Sequence, residues 1–383
     1  MEDEFGSPLV RAEDYYRGVI KLILEEPNYM LSENWDLENI GHDAQFSSHL
    51  NIRQYAIELF GLIGTKIKQD QIETYLLEIE NTEDESFEYE LILAHIRVST
   101  ALCSKRAIEL ITTSSYFKTW QTTQYPTRFR TIVRAIGESK SEIFLDFLHQ
   151  LAEQQQYEGG FYSLYAEYIL HAIKMIGSNK SEQTILTVLE SCEDFNVANQ
   201  LILTLGYVGD SESISKLRDV IFSFDMNSED GYEHLHPVAF ASCSLGRLND
   251  IESIDRMIEL WNYGYKSSYI ARAFSLLKYD KAIPILIEGT GDANANVVVG
   301  SLRALGDFGG KEARSHLLYL QRKGIIDHIE DMNPEMRYSI GRESSKIIRY
   351  ALLLVLDGIG ESVGASRLER ARDYSTAIWE FDD

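Results

Sequence analysis

The sequence predicts an all-α fold, an α-solenoid in which one helical hairpin recurs along the chain. Three observations carry this. A leucine–glycine pair returns every few tens of residues, and the apolar residues on either side of it keep helical spacing. The third is length: 383 residues are too many for one ordinary core unless repetition extends that core.

The best-defined copy is ILTLGYVGDSESISKLRDVI (202–221), with two glycines and an aspartate between two apolar runs. It aligns without gaps to the segment around Leu245 at an offset of 40, and to the segment around Leu305 at an offset of 100. Leu205, Leu245 and Leu305 coincide, as do Gly206, Gly246 and Gly306. Asp210 meets Asp250, and Leu217 meets Met257 and Leu317. In the first half of this copy Val197, Leu201, Leu203, Thr204 and Leu205 form a helical stripe; in the second half Ile214, Leu217, Val220 and Ile221 do so. Between them Gly206 reads as the residue that ends the first helix, and Asp210 or Ser211 as the N-cap of the next. Glu212 places negative charge in that helix's first turn, where the helix dipole favours it. Helix punctuation thus accounts for the glycines without a phosphate-binding loop.

In chain order, residues 1–47 contain one helix over Glu13–Glu25 and then a loop rich in Asn, Ser and Asp; they read as an N-terminal cap on the first repeat. The repeats occupy 48–383. FGLIG (60–64) before DQIETYLLEI is the first copy, followed by RAIGESKSEIFLDFLHQL (134–151) and KMIGSNKSEQTILTVLE (174–190). After the two copies at 201–221 and Leu245, SLLKYDKAIPILIEG (275–289) keeps the leucine and the aspartate but not the glycine. LVLDGIGESVGASRLERA (354–371) closes the series. Two polar insertions interrupt it, at 224–237 and 324–342, and insertions in repeat arrays tend to emerge on one face and carry contacts.

The pattern ALGxxGD followed by an amphipathic helix resembles HEAT repeats, in particular the short HEAT-like type of phycobilisome lyases and many bacterial scaffold proteins. The resemblance covers roughly residues 50–375. It implies a right-handed α-solenoid of about eight or nine HEAT-like helical hairpins, the second helix of each lining the concave face. It is nearly silent on activity, because this repeat serves many unrelated proteins.

Composition narrows the function classes. The longest apolar run, ALLLVL (351–356), is far short of a membrane span, and the acidic N-terminus lacks the order of a secretory signal. Cys103, Cys192 and Cys243 are odd in number and widely separated, which suits thiols in a reducing cytoplasm. The formal net charge is −24, with 21 Asp/Glu against 7 Lys/Arg in residues 1–100. Such a balance disfavours a general nucleic-acid binder, because phosphate neutralisation needs a basic surface. Only residues 301–350 lean the other way, with 9 Lys/Arg against 7 Asp/Glu.

Several motifs imitate chemistry. Asp307-Phe308-Gly309 spells a kinase tripeptide but sits in register with Gly206–Gly209, so it reads as a repeat turn. Gly358-Ile359-Gly360 follows a helical stripe (Ile347, Ile348, Ala351, Leu352, Val355, Leu356) instead of a strand, and no GxxxxGK[ST] loop exists. Glu233, His234 and His236 lack further ligands at a telling spacing, while His95 and His171 lie in apolar helical stretches. No catalytic constellation, cofactor site or metal site is expected. Two sets of residues remain as candidates for protein binding. Tyr162, Tyr165 and Tyr168 repeat at steps of three, either as a binding face or as a seam between helices. Lys216, Arg256 and His316 occupy equivalent positions on second helices, either as a positively polarised stripe or as side chains that solvate them.

The expected function is a non-catalytic protein-binding scaffold or adaptor acting through an extended solenoid surface, its acidic N-terminal part favouring a basic partner. Two alternatives stand beside it: an acidic immunity or inhibitor protein that blocks a basic toxin or nuclease and, from the resemblance alone, a bilin-lyase-like attachment factor.

Overall fold

A computed structural model describes residues 8–25, 35–47, 50–66, 68–80, 88–114, 126–154, 161–226, 235–333, 342–361, 363, 368 and 371. All regular structure among them is helical, with no strand. The chain divides into two compact units, Met1–Thr184 and Ile185–Asp383.

In the first unit, helices α1 (Pro8–Glu25) and α2 (Leu37–Phe46) pack on α3 (Leu50–Gly64). Polar composition predicts a loop over the second of these, yet Asp36 caps it by accepting from the Asn39 amide at 3.2 Å. Tyr16, Val19, Ile20 and Ile23 of α1 share one core with Ile57, Phe60 and Ile63 of α3. The N-terminal helices are thus sealed into the first hairpin by apolar burial, at about 1.5–3 kcal/mol per large side chain. The unit continues with α4 (Gln69–Glu80), α5 (Glu88–Val98), α6 (Ala101–Thr113), α7 (Pro126–Ser139), α8 (Leu145–Gln154) and α9 (Phe161–Ile176). Helix α10 (Glu182–Ser191) comes next along the chain.

The second unit contains α11 (Phe195–Val208), α12 (Ser211–Phe222), α13 (Leu235–Arg247), α14 (Ile254–Asn262), α15 (Ser268–Leu276), α16 (Ile283–Gly289), α17 (Ala295–Phe308), α18 (Lys311–Lys323), α19 (Ile325–Met332) and α20 (Arg342–Gly358). The insertion at 324–342 supplies α19, while residues 227–234 of the other insertion lie outside the described residues. Within each unit the first helices of successive hairpins pack side by side: α3 on α5, α5 on α7 and α7 on α9; then α11, α13, α15, α17 and α20 in turn.

The repeat glycine has a different role from the one its sequence context suggests. Gly206 does not end α11; the helix runs on to Val208, and the cap is Gly209 with φ −78°. What Gly206 does is admit the next first helix. A Cβ there would lie 2.8 Å from the Cα of Ser244, and one at Gly246 would lie 2.8 Å from the Cα of Ala273. Gly61 meets Ala94 and Gly137 meets Ala172 in the same way, each at 2.9 Å. Where the glycine is missing from α15, Gly300 of α17 supplies the gap instead, against Ser268. Five junctions therefore pair a glycine with an alanine or serine so that two helix backbones can touch, whereas at α17–α20 Gly306 meets the Val355 side chain. The Ser244 hydroxyl ties one junction further by donating to the Ile202 carbonyl of α11 at 2.8 Å. The turn position lies three residues later: Lys140, Asn249 and Gly309 all have positive φ there.

This separates two kinds of glycine experimentally. Gly206→Ala and Gly246→Ala are expected to lower the unfolding free energy in urea by about 1–3 kcal/mol, through overpacking. Gly18→Ala, in α1 with nothing within 4 Å of its added methyl, is expected to raise it by up to about 1 kcal/mol. Equal responses at all three sites would refute the seam.

Candidate functional site

The three equivalent second-helix residues all reach back to the C-terminal end of the preceding second helix. Lys216 Nζ of α12 pairs with Glu190 Oε1 in the last turn of α10, at 2.9 Å. Arg256 of α14 donates from Nε to the Ile221 carbonyl at 3.1 Å and from Nη2 to the Phe224 carbonyl at 2.6 Å. These are carbonyls at and just beyond the end of α12, where a helix lacks internal partners and carries negative dipole charge. Its Nη1 pairs with Glu259 at 2.6 Å. His316 of α18 bonds through Nε2 to Thr290 Oγ1, the C-cap residue of α16, at 2.8 Å. The Thr290 hydroxyl itself donates to the Ile287 carbonyl at 2.7 Å, so it accepts from the imidazole N–H.

The shared position is thus a rivet between consecutive second helices. It is not a uniformly positive stripe, because burial and the neighbouring His328 push the His316 pKa down from 6.5 to about 4. His328 is likewise lowered by burial and by Lys323, with Asp331 opposing.

The rivets align the ends of these helices into one edge. Phe224 meets Tyr265 edge-on at 5.1 Å, and Tyr265 stacks on Tyr263 at 5.9 Å. The Tyr265 hydroxyl donates to the Met226 carbonyl at 3.1 Å. Beside it, Lys266 bridges Glu288 at 3.0 Å and Asp292 at 3.4 Å, which leads to the end of α16. There the rings of His316 and His328 approach Thr290 and Tyr319 packs against both, each pair of rings about 5.9 Å or less apart. Asn333 closes the edge by donating to the Gly291 carbonyl at 2.5 Å. Large apolar surface stands out along it: Phe222 is 54% exposed, Tyr263 53%, Tyr319 39% and Met332 53%. Flat rings with few rotatable bonds over a fixed frame suit recognition of another surface. The sequence gives little sign of this edge, since its residues belong to several repeats and share no motif.

Tyr165 is buried edge-to-face on Phe129 at 5.1 Å, a seam between α7 and α9. Tyr168 is half-buried with Arg130 over its ring at 5.4 Å. Tyr162 lies in the first turn of α9, and its side chain is outside the described residues, as are Glu233, His234 and the side chain of His236. Asp307 pairs with Arg272 while Lys278 Nζ bonds its carbonyl at 2.6 Å, an interhelical tie at a repeat turn. Among the described residues no group of three or more His, Cys, Asp or Glu side chains forms a metal site. None of their helices is long and apolar enough to cross a membrane.

No protein-family model matches the sequence, and a search of curated proteins finds no significant match.

One further tie sets the acid response. Arg218 of α12 reaches forward to Asp250, a buried carboxylate that also accepts from Ser253. Burial pushes the Asp250 pKa up, but Arg218 and Ser253 outweigh it and hold it below the usual carboxylate value. A histidine lowered in the folded state costs stability as pH falls from 6.5 toward 4, because the unfolded chain takes up that proton first. An aspartate lowered in the folded state contributes stability that is lost at still lower pH. Thermal midpoints measured from pH 7 to 4 are therefore expected to fall steadily, and to fall less for His316→Gln, which keeps a donor to Thr290. The same slope in both proteins would contradict the assignment.

Proposed function

We propose that the chain is a HEAT-like, right-handed α-solenoid of about eight or nine hairpins that serves as a non-catalytic adaptor. It binds a protein partner along the edge formed by the ends of α12, α14, α16, α18 and α19. The observation that carries this reading is the group of large side chains Phe222, Phe224, Tyr263, Tyr265, Tyr319 and Met332 at the ends of these helices, none of them buried, with Phe224, Tyr265 and Tyr263 in successive ring contact. Aromatic rings exposed over a rigid frame lose little entropy on binding and bury much area, which is how interface hot spots work. Arg256, Tyr265 and His316 are engaged in holding neighbouring segments together, and the exposed rings serve as the recognition elements. A reducing cytoplasm is part of the reading, supported by the separate free thiols Cys103, Cys192 and Cys243.

A photo-crosslinking residue at Tyr263 or Tyr319 is expected to capture one discrete partner from the native cell, and one at exposed Leu102 of α6 to capture none. With that partner purified, Phe222→Ala with Tyr263→Ala should weaken binding at least about tenfold at unchanged melting temperature. Unchanged affinity would rule the edge out.

A further inference from the structure

The acidic chain carries a cationic face in its first unit. Helix α7 bears three arginines, Arg128, Arg130 and Arg134, against one acidic residue, Glu138. The helix that follows it, α8, bears Asp146 and Glu153 and no lysine or arginine. The two helices of this hairpin therefore have opposite charge. The arginines of α7 are exposed, and two of them lie over tyrosines of the flanking first helices. Arg128 sits over Tyr89 of α5 at 4.9 Å, and Arg130 over Tyr168 of α9 at 5.4 Å. Arg134 pairs with Glu138 at 2.7 Å. Half-buried His171 of α9 reports the field between them. Its pKa is lowered by burial and then by Lys174, Arg134 and Arg130, with Glu138 alone opposing. Glu90 of α5, beside Arg128, is raised by burial. Glu167 is the acidic group of α9, and α5 also carries Glu88.

We infer that the face of α7 flanked by α5 and α9 is a docking surface for an acidic peptide segment of a protein partner. Three features select this occupant. The Arg130 guanidinium, laid on the Tyr168 ring, is held in place, and its planar N–H edge matches a carboxylate in a two-point contact. Tyr89 and Tyr168 place apolar area beside each cation, so a peptide with acidic and apolar residues finds both kinds of contact. A long polyanion such as nucleic acid is disfavoured, because away from this face it meets a chain of net charge −24. The surface is separate from the aromatic edge and stands whether or not that edge binds a protein.

The test is fluorescence anisotropy of the full chain with a labelled Glu/Leu peptide of about ten residues and its Gln/Leu counterpart, in about 0.1 M salt. The acidic peptide is expected to bind and the neutral one not. Arg130→Glu with Arg134→Glu should weaken binding at least about tenfold, whereas Lys21→Glu with Lys105→Glu, the same charge change at exposed sites elsewhere, should alter it less than about twofold. Should the glutamate pair unfold the unit, Arg130→Gln with Arg134→Gln gives the same comparison with a smaller expected loss. Phe222→Ala with Tyr263→Ala should leave this binding unchanged, which separates it from the edge. Absence of binding, equal losses in both charge-reversal pairs, or tighter binding of a single-stranded oligonucleotide of equal charge would each overturn the inference.

Discussion

Where Gly206 faces Ser244 and Gly246 faces Ala273, two helix backbones approach until no side chain fits between them. Much of the rest depends on that contact. It recurs at Gly61 and Gly137 in the first unit, and at the glycine-free α15 the neighbouring helix supplies Gly300 instead. The persistence of the gap when its donor changes shows that the spacing, not one residue's flexibility, is what the repeat maintains. A row of first helices set at such short range is stiff, because protein interiors yield little to added volume.

The second helices are held differently. They are joined by side chains that cross to the end of the preceding helix: Lys216 to Glu190, Arg256 to the Ile221 and Phe224 carbonyls, and His316 to Thr290. Arg256 fills carbonyls that the end of α12 leaves without internal partners, while Lys216 and His316 bond side chains at the preceding helix end. The consequence for function is indirect. By consuming polar groups, the rivets leave Phe222, Tyr263, Tyr319 and Met332 as the prominent surface at those ends. On the proposed reading, a partner meeting this edge would find rings held by folded segments, with part of the ordering cost already met by folding.

Charge is spread unevenly among the helices as well. The excess of acid in the first hundred residues includes α4, whose Asp70, Glu73, Glu78 and Glu80 face no lysine or arginine on the same helix. Three arginines of that unit share α7, and two of them rest on tyrosines. Net charge alone hides this arrangement. A helix's charge can be read from its sequence, but which helices lie side by side is a matter of packing.

The sequence by itself determined the helical hairpin and its repetition, because 3.6-residue apolar spacing and helix caps act over a few residues at a time. It also marked Tyr165 as an apolar contact or binding residue, and Lys216, Arg256 and His316 as one structural class. Tertiary structure decided what those marks mean. The anchor glycine looks like a helix stop because glycine often is one; only the position of the next helix, about 27–38 residues along, reveals it as a seam. The helix over Leu37–Phe46 forms in a polar stretch because Trp35, Leu37, Ile40 and Ala44 find the core of α3 and α4. The aromatic edge and the arginine face assemble residues from several repeats. Their neighbours are set by how helices stack, and no local pattern encodes that distance.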